Sequence, residues 1–201
     1  MSKILILFAH PLLEKSRVHG ELLKQAATVQ DVTINDLYER YPEFDIDVAR
    51  EKRLLLEHDI VIWQFPFYWY SAPPLLKQWE DLVLEHGWAY GKKGIALAGK
   101  KIFNVLSSGA RMNTYQTTGF NKYSIHDYLR PFERTAELCK MIYWPPFWIP
   151  GVHIMKAEQI QQHSKQYKNL LTALANDIFS EEDIMNHSLM NDLFPITSTE
   201  S

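Results

Sequence analysis

Residues Ile4 to Ala9 (ILILFA) form an unbroken apolar run between Lys3 and the pair His10-Pro11. A run without polar alternation suits a strand covered on both faces, the usual condition of a central strand in a parallel sheet. Asp59 to Phe65 (DIVIWQF) repeats the pattern and stops at Pro66, and Lys101 to Leu106 gives a third strand. Asp31 to Asp36 reads as another, and a proline-interrupted strand is expected over residues 144–155. Helical spacing separates them. Ser16 is placed as the N-cap of a helix over 17–27, with Val18, Leu22, Leu23 and Ala26 on one face. Further helices are expected over 47–57, from Pro73 or Pro74 onward, over 135–142 and over 157–179.

Strands alternating with helices imply βαβ units, hence an α/β, doubly wound parallel sheet with helices on both faces. The chain has 201 residues, enough for one domain with a sizeable core. The domain is read as residues 1–179, followed by a polar, acidic and loosely ordered tail over 180–201. A net charge of −3 offers no nucleic-acid footprint. The single cysteine, Cys139, excludes an internal disulfide and any CxxC motif, and its helical setting reads as packing. The eight histidines show no metal spacing. The first apolar run is too short for a signal peptide, so a cytoplasmic protein is expected.

Ligands of doubly wound sheets sit beyond the carboxyl ends of the strands. That rule selects three loops. Residues 10–16 carry no GxGxxG and no Walker sequence, so neither a dinucleotide fingerprint nor a P-loop is present. They offer His10 and a helix start at Ser16, Arg17, Val18 and His19, whose free N–H groups suit a phosphate. Locally, a plain cap and a loop histidine are the preferred reading. The second loop packs five aromatics into residues 65–70, among them Phe67, Tyr68, Trp69 and Tyr70. Such a loop suits a planar heterocycle, and equally an aromatic core or a dimer patch. The third loop, Ser107-Ser108-Gly109-Ala110, presents small residues and N–H groups, with the Tyr115 phenol close behind.

Taken together, the chain resembles the flavodoxin-like NAD(P)H:quinone oxidoreductase family, and within it the ancillary flavoproteins of glutathione-gated potassium efflux systems. The resemblance rests on Phe8-Ala9-His10-Pro11, on Leu37-Tyr38 through Arg40-Tyr41-Pro42, and on Trp63-Gln64-Phe65-Pro66 running on to Trp79. Gly87-Trp88-Ala89-Tyr90-Gly91, Leu129-Arg130-Pro131-Phe132-Glu133 and Pro145-Pro146-Phe147 complete it, in order, from about Ile4 to Lys168.

The resemblance implies strand order 2-1-3-4-5 and a homodimer with a flavin at its interface, FMN in preference to FAD. It also implies NAD(P)H as cosubstrate and a quinone-like acceptor. His10 and Ser16 to His19 would hold the flavin phosphate, Phe67 to Tyr70 would line the ring, and Ser107 to Ala110 would meet its polar edge. Tyr115 would orient the acceptor or donate a proton. Two departures stand out: Ser-Ser-Gly-Ala replaces the frequent Thr-Thr-Gly-Gly, and Asn121 stands where mammalian members have a histidine, so no Tyr–His relay is expected. The dimer is expected to bury Trp69, Tyr70, Trp88 and Tyr90. A regulatory reading competes, in which the protein activates a potassium/proton antiporter from the inner face of the membrane.

Overall fold

The computed structural model describes residues 1–196. Strand β1 (Ile4–Phe8) pairs in parallel with β2 (Val32–Asp36) on one side and β3 (Ile60–Pro66) on the other. Strand β4 (Lys101–Ser108) follows β3, and two short strands, β5 (Ile142–Tyr143) and β6 (Phe147–Pro150), share its outer edge. The order is β2-β1-β3-β4-β5, with β6 paired to β4 beyond β5. The fifth position is therefore one broken strand, interrupted at Trp144-Pro145-Pro146 because proline cannot donate to a ladder.

Alternate residues of β1 face opposite cores, as the period of two requires. Ile4, Ile6 and Phe8 pack with α1 (Arg17–Ala26) and α6 (Ala157–Ala175). Leu5, Leu7 and Ala9 face the layer built from α2 (Leu37–Arg40), α3 (Val48–Glu57), α4 (Pro74–Val83) and α5 (Ile125–Leu138). Burial on both faces explains the unbroken apolar runs. In the second layer the buried Glu51 carboxylate receives Asn35 Nδ2 (2.8 Å), Tyr41 Oη (2.6 Å), Arg50 (2.5 Å) and Trp79 Nε1 (2.9 Å). It ties β2, α3 and α4 together beneath the sheet.

Three expectations change. The helix expected over 135–142 starts ten residues earlier, at Ile125, because Ser124 and Asp127 form a capping box. Pro131 lies inside this helix, and Ile142 belongs to β5. Ser107 and Ser108 are strand rather than loop, since β6 extends the ladder past them. The segment after Phe179 packs instead of trailing: α7 (Glu181–Met185) buries Ile184, and Met190 is fully buried. Trp148 N donates to Asn191 Oδ1 (2.9 Å) and Asn191 Nδ2 donates to Trp148 O (3.1 Å), so a side-chain amide lies along the open edge of β6. The last part of the expected tail, residues 197–201, lies outside the described residues. No helix among the described residues is long and apolar enough to cross a membrane.

Candidate functional site

The strands all run parallel, but their order reverses between β1 and β3, and a cavity of about 410 Å³ opens at their carboxyl ends. Its wall includes His10, Ser16, Arg17 and Val18 from the first loop, Phe67 and Tyr68 from the second, and Ser107 and Gly109 at the end of β4. A neighbouring depression of about 330 Å³ shares Phe67 and Tyr68 and adds Trp69, Tyr70, Ala110, Tyr115 and Asn121. Two expected residues turn their side chains elsewhere. Ser108 accepts from Trp148 Nε1 (3.0 Å) and donates to Ala110 O (3.2 Å), because β6 brings Trp148 over it. His19 is fully buried beneath the floor.

The first loop is built for donation. Leu12 N donates to His10 Nδ1 (3.1 Å), which leaves the proton of the neutral ring on Nε2. Burial lowers the His10 pKa, opposed by Glu14, so the ring stays neutral at neutral pH. Ser16 caps α1 by accepting from His19 N (3.1 Å). The N–H groups of Arg17 and Val18, in the first turn, have no intrahelical acceptor and carry the positive end of the helix dipole. Lys15, Arg17 and His153 stand around the same cavity. A chain of net charge −3 thus places two cationic side chains, Lys15 and Arg17, where an anion would enter.

Under the floor lies a line of four polar side chains. Tyr167 Oη donates to Gln64 Oε1 (2.9 Å), Gln64 Nε2 lies 3.3 Å from His19 Nδ1, and His19 Nε2 lies 3.0 Å from Ser107 Oγ. Burial, reinforced by neighbouring His10, pushes His19 down to about 3, so its ring is neutral.

The second loop ends in a two-residue hairpin. Tyr68 and Ser71 exchange both backbone bonds, Tyr68 N to Ser71 O (3.0 Å) and Ser71 N to Tyr68 O (2.9 Å). Trp69 and Tyr70 between them have φ of 49° and 63°, the left-handed signature of a type I′ turn. Bulky residues at such positions carry strain of about 1–2 kcal/mol each, and backbone strain concentrates at ligand-binding sites. The turn holds Trp69 outward, 93% exposed, while Tyr70 stacks on Tyr128 at 5.1 Å. Tyr115 packs edge-on against Trp148 (5.2 Å) and Phe67 (6.0 Å). Burial raises its pKa, with the Ser108 hydroxyl acting the other way, so the phenol keeps its proton at neutral pH. Trp88 and Tyr90, expected on the same apolar surface, are half-buried against the core, and Lys52 Nζ lies 4.7 Å from the Trp88 ring. Cys139 is buried, its thiol pushed up to about 11, as its packing reading requires. No cluster suited to a metal occurs among the described residues.

The cavity wall also includes Leu12, Lys15 and Pro66, which lie within the selected loops without having been singled out, and Val152 and His153, which lie outside all three. Val152 and His153 were read inside a strand, but the chain leaves β6 at Pro150 and turns at Gly151, where φ is 75°. Gly109, expected in the site, packs closely against His153: a Cβ there would lie 2.4 Å from His153 Nε2. Gln64 had a visible signal, a polar residue within an apolar strand. Tyr167 had none.

A profile described as flavodoxin-like fold matches residues 2–171. The glutathione-regulated potassium-efflux system ancillary protein KefG of Serratia proteamaculans is 42% identical over 169 residues, 84% of this chain and 92% of that protein. General stress protein 14 of Treponema denticola, whose crystal structure is a complex with FMN, superposes with a TM-score of 0.81 at 42% identity, over 86% of this chain and 99% of that one. An NADPH-quinone reductase from P. pentosaceus superposes with a TM-score of 0.76 at 34% identity, over 86% and 97% of the two chains. The match over most of the chain and the strand order agree: the chain belongs to the flavodoxin-like fold family.

Proposed function

We propose that the protein is an FMN-dependent NAD(P)H oxidoreductase that reduces quinones or similar acceptors. The observation that carries this is the cavity itself, with hydrogen-bond donors at one end and an aromatic depression at the other. The residues present fit the cofactor. His10 Nε2–H, the Ser16 hydroxyl and the N–H groups of Arg17 and Val18 would hold a phosphate. Phe67 to Tyr70 would face a ring, and Ser107 and Gly109 would meet its polar edge. A cavity of about 410 Å³ suits a mononucleotide, consistent with FMN in preference to FAD.

When bound, FMN supplies the hydride and electron transfer between NAD(P)H and the acceptor. The chain's part is to bind, orient and exclude water. Trp69, Tyr70 and Tyr115 frame one depression, and its use by NAD(P)H and the acceptor in turn would give ping-pong turnover. Tyr115, protonated at neutral pH, would donate a hydrogen bond to an acceptor carbonyl and so orient it. Homodimerisation belongs to the same reading. Trp69, Phe120, Tyr123 and Met112 are exposed apolar side chains, and a second copy would cover those bordering the depression.

The test is the visible spectrum of the purified protein, mass identification of the released cofactor, and NAD(P)H oxidation with a quinone. A colourless protein without saturable FMN binding overturns the reading. The KefG relative favours a second one, in which the protein binds and activates a potassium/proton antiporter from the cytoplasmic face. Co-purification with such a membrane protein, together with weak turnover alone, would favour it.

A further inference from the structure

Resting on the reading that the cavity holds FMN, we propose that Tyr167, Gln64 and His19 form a directed relay that fixes the Ser107 hydroxyl as a hydrogen-bond donor toward the bound ligand. They are positioning residues, and Ser107 is the group that meets an acceptor atom. The direction follows from counting donors. Tyr167 Oη has one partner among the described residues, Gln64 Oε1, 2.9 Å away. With the Gln64 oxygen taken by that hydroxyl, its NH₂ faces His19 Nδ1 at 3.3 Å, and Nδ1 must accept. The proton of the neutral His19 ring is then on Nε2 and is donated to Ser107 Oγ at 3.0 Å. A hydroxyl that accepts from His19 is free to donate its own proton, and Ser107 lines the cavity.

The opposite setting is sterically available but leaves a group unpaired. If the Gln64 amide turned over, its NH₂ would donate to Tyr167 Oη and its oxygen would accept from His19 Nδ1–H. His19 Nε2 would then take the Ser107 proton, and Ser107 would show only lone pairs to the ligand. The Tyr167 hydroxyl proton would have no acceptor in a fully buried position, which is the costly outcome for a buried donor. Tyr167, on α6 and on the far side of Gln64 from the cavity, therefore sets the polarity of a group that touches the ligand. The ligand atom at Ser107 is accordingly an acceptor, a phosphate or carbonyl oxygen or a ring nitrogen without hydrogen.

The test has two arms on the full chain. Long-range ¹H–¹⁵N spectra of ¹⁵N-histidine-labelled protein without cofactor report the His19 tautomer. The expected result is Nε2–H in the wild type and a shift toward Nδ1–H in Tyr167→Phe. FMN titration forms the second arm. Tyr167→Phe should weaken FMN by about threefold to tenfold, the range for one neutral hydrogen bond. In a Ser107→Ala background the same substitution should change FMN affinity by less than about 1.5-fold, since distant sites couple only through a shared partner. Nδ1–H in the wild type overturns the relay, as does an equal Tyr167→Phe effect in both backgrounds. Absence of FMN binding with the expected tautomer behaviour overturns the cofactor reading and leaves the relay supported.

Discussion

On the polar side of the cavity His10, Ser16, His19 and Ser107 each have a hydrogen-bond partner at 3.0–3.1 Å. At the aromatic end, Trp69 stands almost wholly in solvent on a strained turn, and behind that turn lies a carboxyl group without a full set of partners. Glu80 lines a cleft with Ser71, Tyr90 and Cys139, and its Oε1 is buried with no hydrogen-bond partner among the described residues. One end is finished by the chain itself; the other is left open. The contrast separates two tasks: holding an anion needs fixed donors, whereas admitting two successive substrates needs a surface that is not already filled.

The largest test of that contrast is Ser16→Ala. Losing a hydrogen bond to a charged phosphate, worth about 1.5–3 kcal/mol, should weaken FMN roughly tenfold to hundredfold in a fluorescence titration. Because Ser16 also caps α1, the variant should lose about 1 kcal/mol of stability as well. A greater affinity loss in Trp69→Ala than in Ser16→Ala would reverse the assignment of the two ends.

Glu80 comes next. Burial pushes its pKa up to about 7 from 4.5, with Lys77 opposing and Asp81 reinforcing. The folded state therefore holds the proton more tightly than the unfolded chain, and the stability this confers is full below pH 4.5 and lost as pH rises through 7. Glu80→Gln should match the wild type below pH 4 and exceed it by about 3 kcal/mol above pH 8 in urea unfolding. A pH-independent difference would mean that the carboxyl is not desolvated in the fold.

A smaller effect is expected from the turn. Replacing Trp69-Tyr70 with Asn-Gly, the pair that type I′ geometry favours, should stabilise the chain by about 1 kcal/mol while slowing quinone reduction. Thermal unfolding and steady-state turnover read the two quantities separately. A variant of unchanged stability would show that the turn stores no strain. The smallest effect belongs to Tyr115→Phe, expected to slow acceptor reduction by about twofold to tenfold and flavin reduction less. Stopped-flow measurement of the two half-reactions checks it; rates within about twofold for both would make Tyr115 a packing residue.

The central strands were legible because two-sided burial leaves an unambiguous apolar run, as in Ile4 to Phe8 and Ile60 to Phe65. The N-cap at Ser16 was equally visible in local chemistry. The start of α5 was not, since Pro131 suggests a break while the Ser124 capping box lies seven residues upstream. In the site, each expected loop reaches the cavity or its neighbouring depression, but the facing of individual side chains depends on tertiary partners. Ser108 turns away because Trp148 reaches it across the β4–β6 pairing, forty residues further along the chain. Tyr167 enters the relay from α6 through one helical face that carries no mark beyond apolar periodicity.

The Asn191 amide laid along β6 has a practical consequence for where this chain can be cut. The family resemblance ends at residue 171, which makes that position an inviting boundary for a shortened protein. Cutting there removes Asn191, Met190 and Ile184 together, and exposes the Trp148 backbone N–H and C=O on a strand whose other side is the sheet. An uncovered edge of this kind is a template for a strand from another molecule. Residues beyond the shared fold would thus guard against self-association through the sheet, at an edge that runs beside the carboxyl end of β4 where the cavity opens.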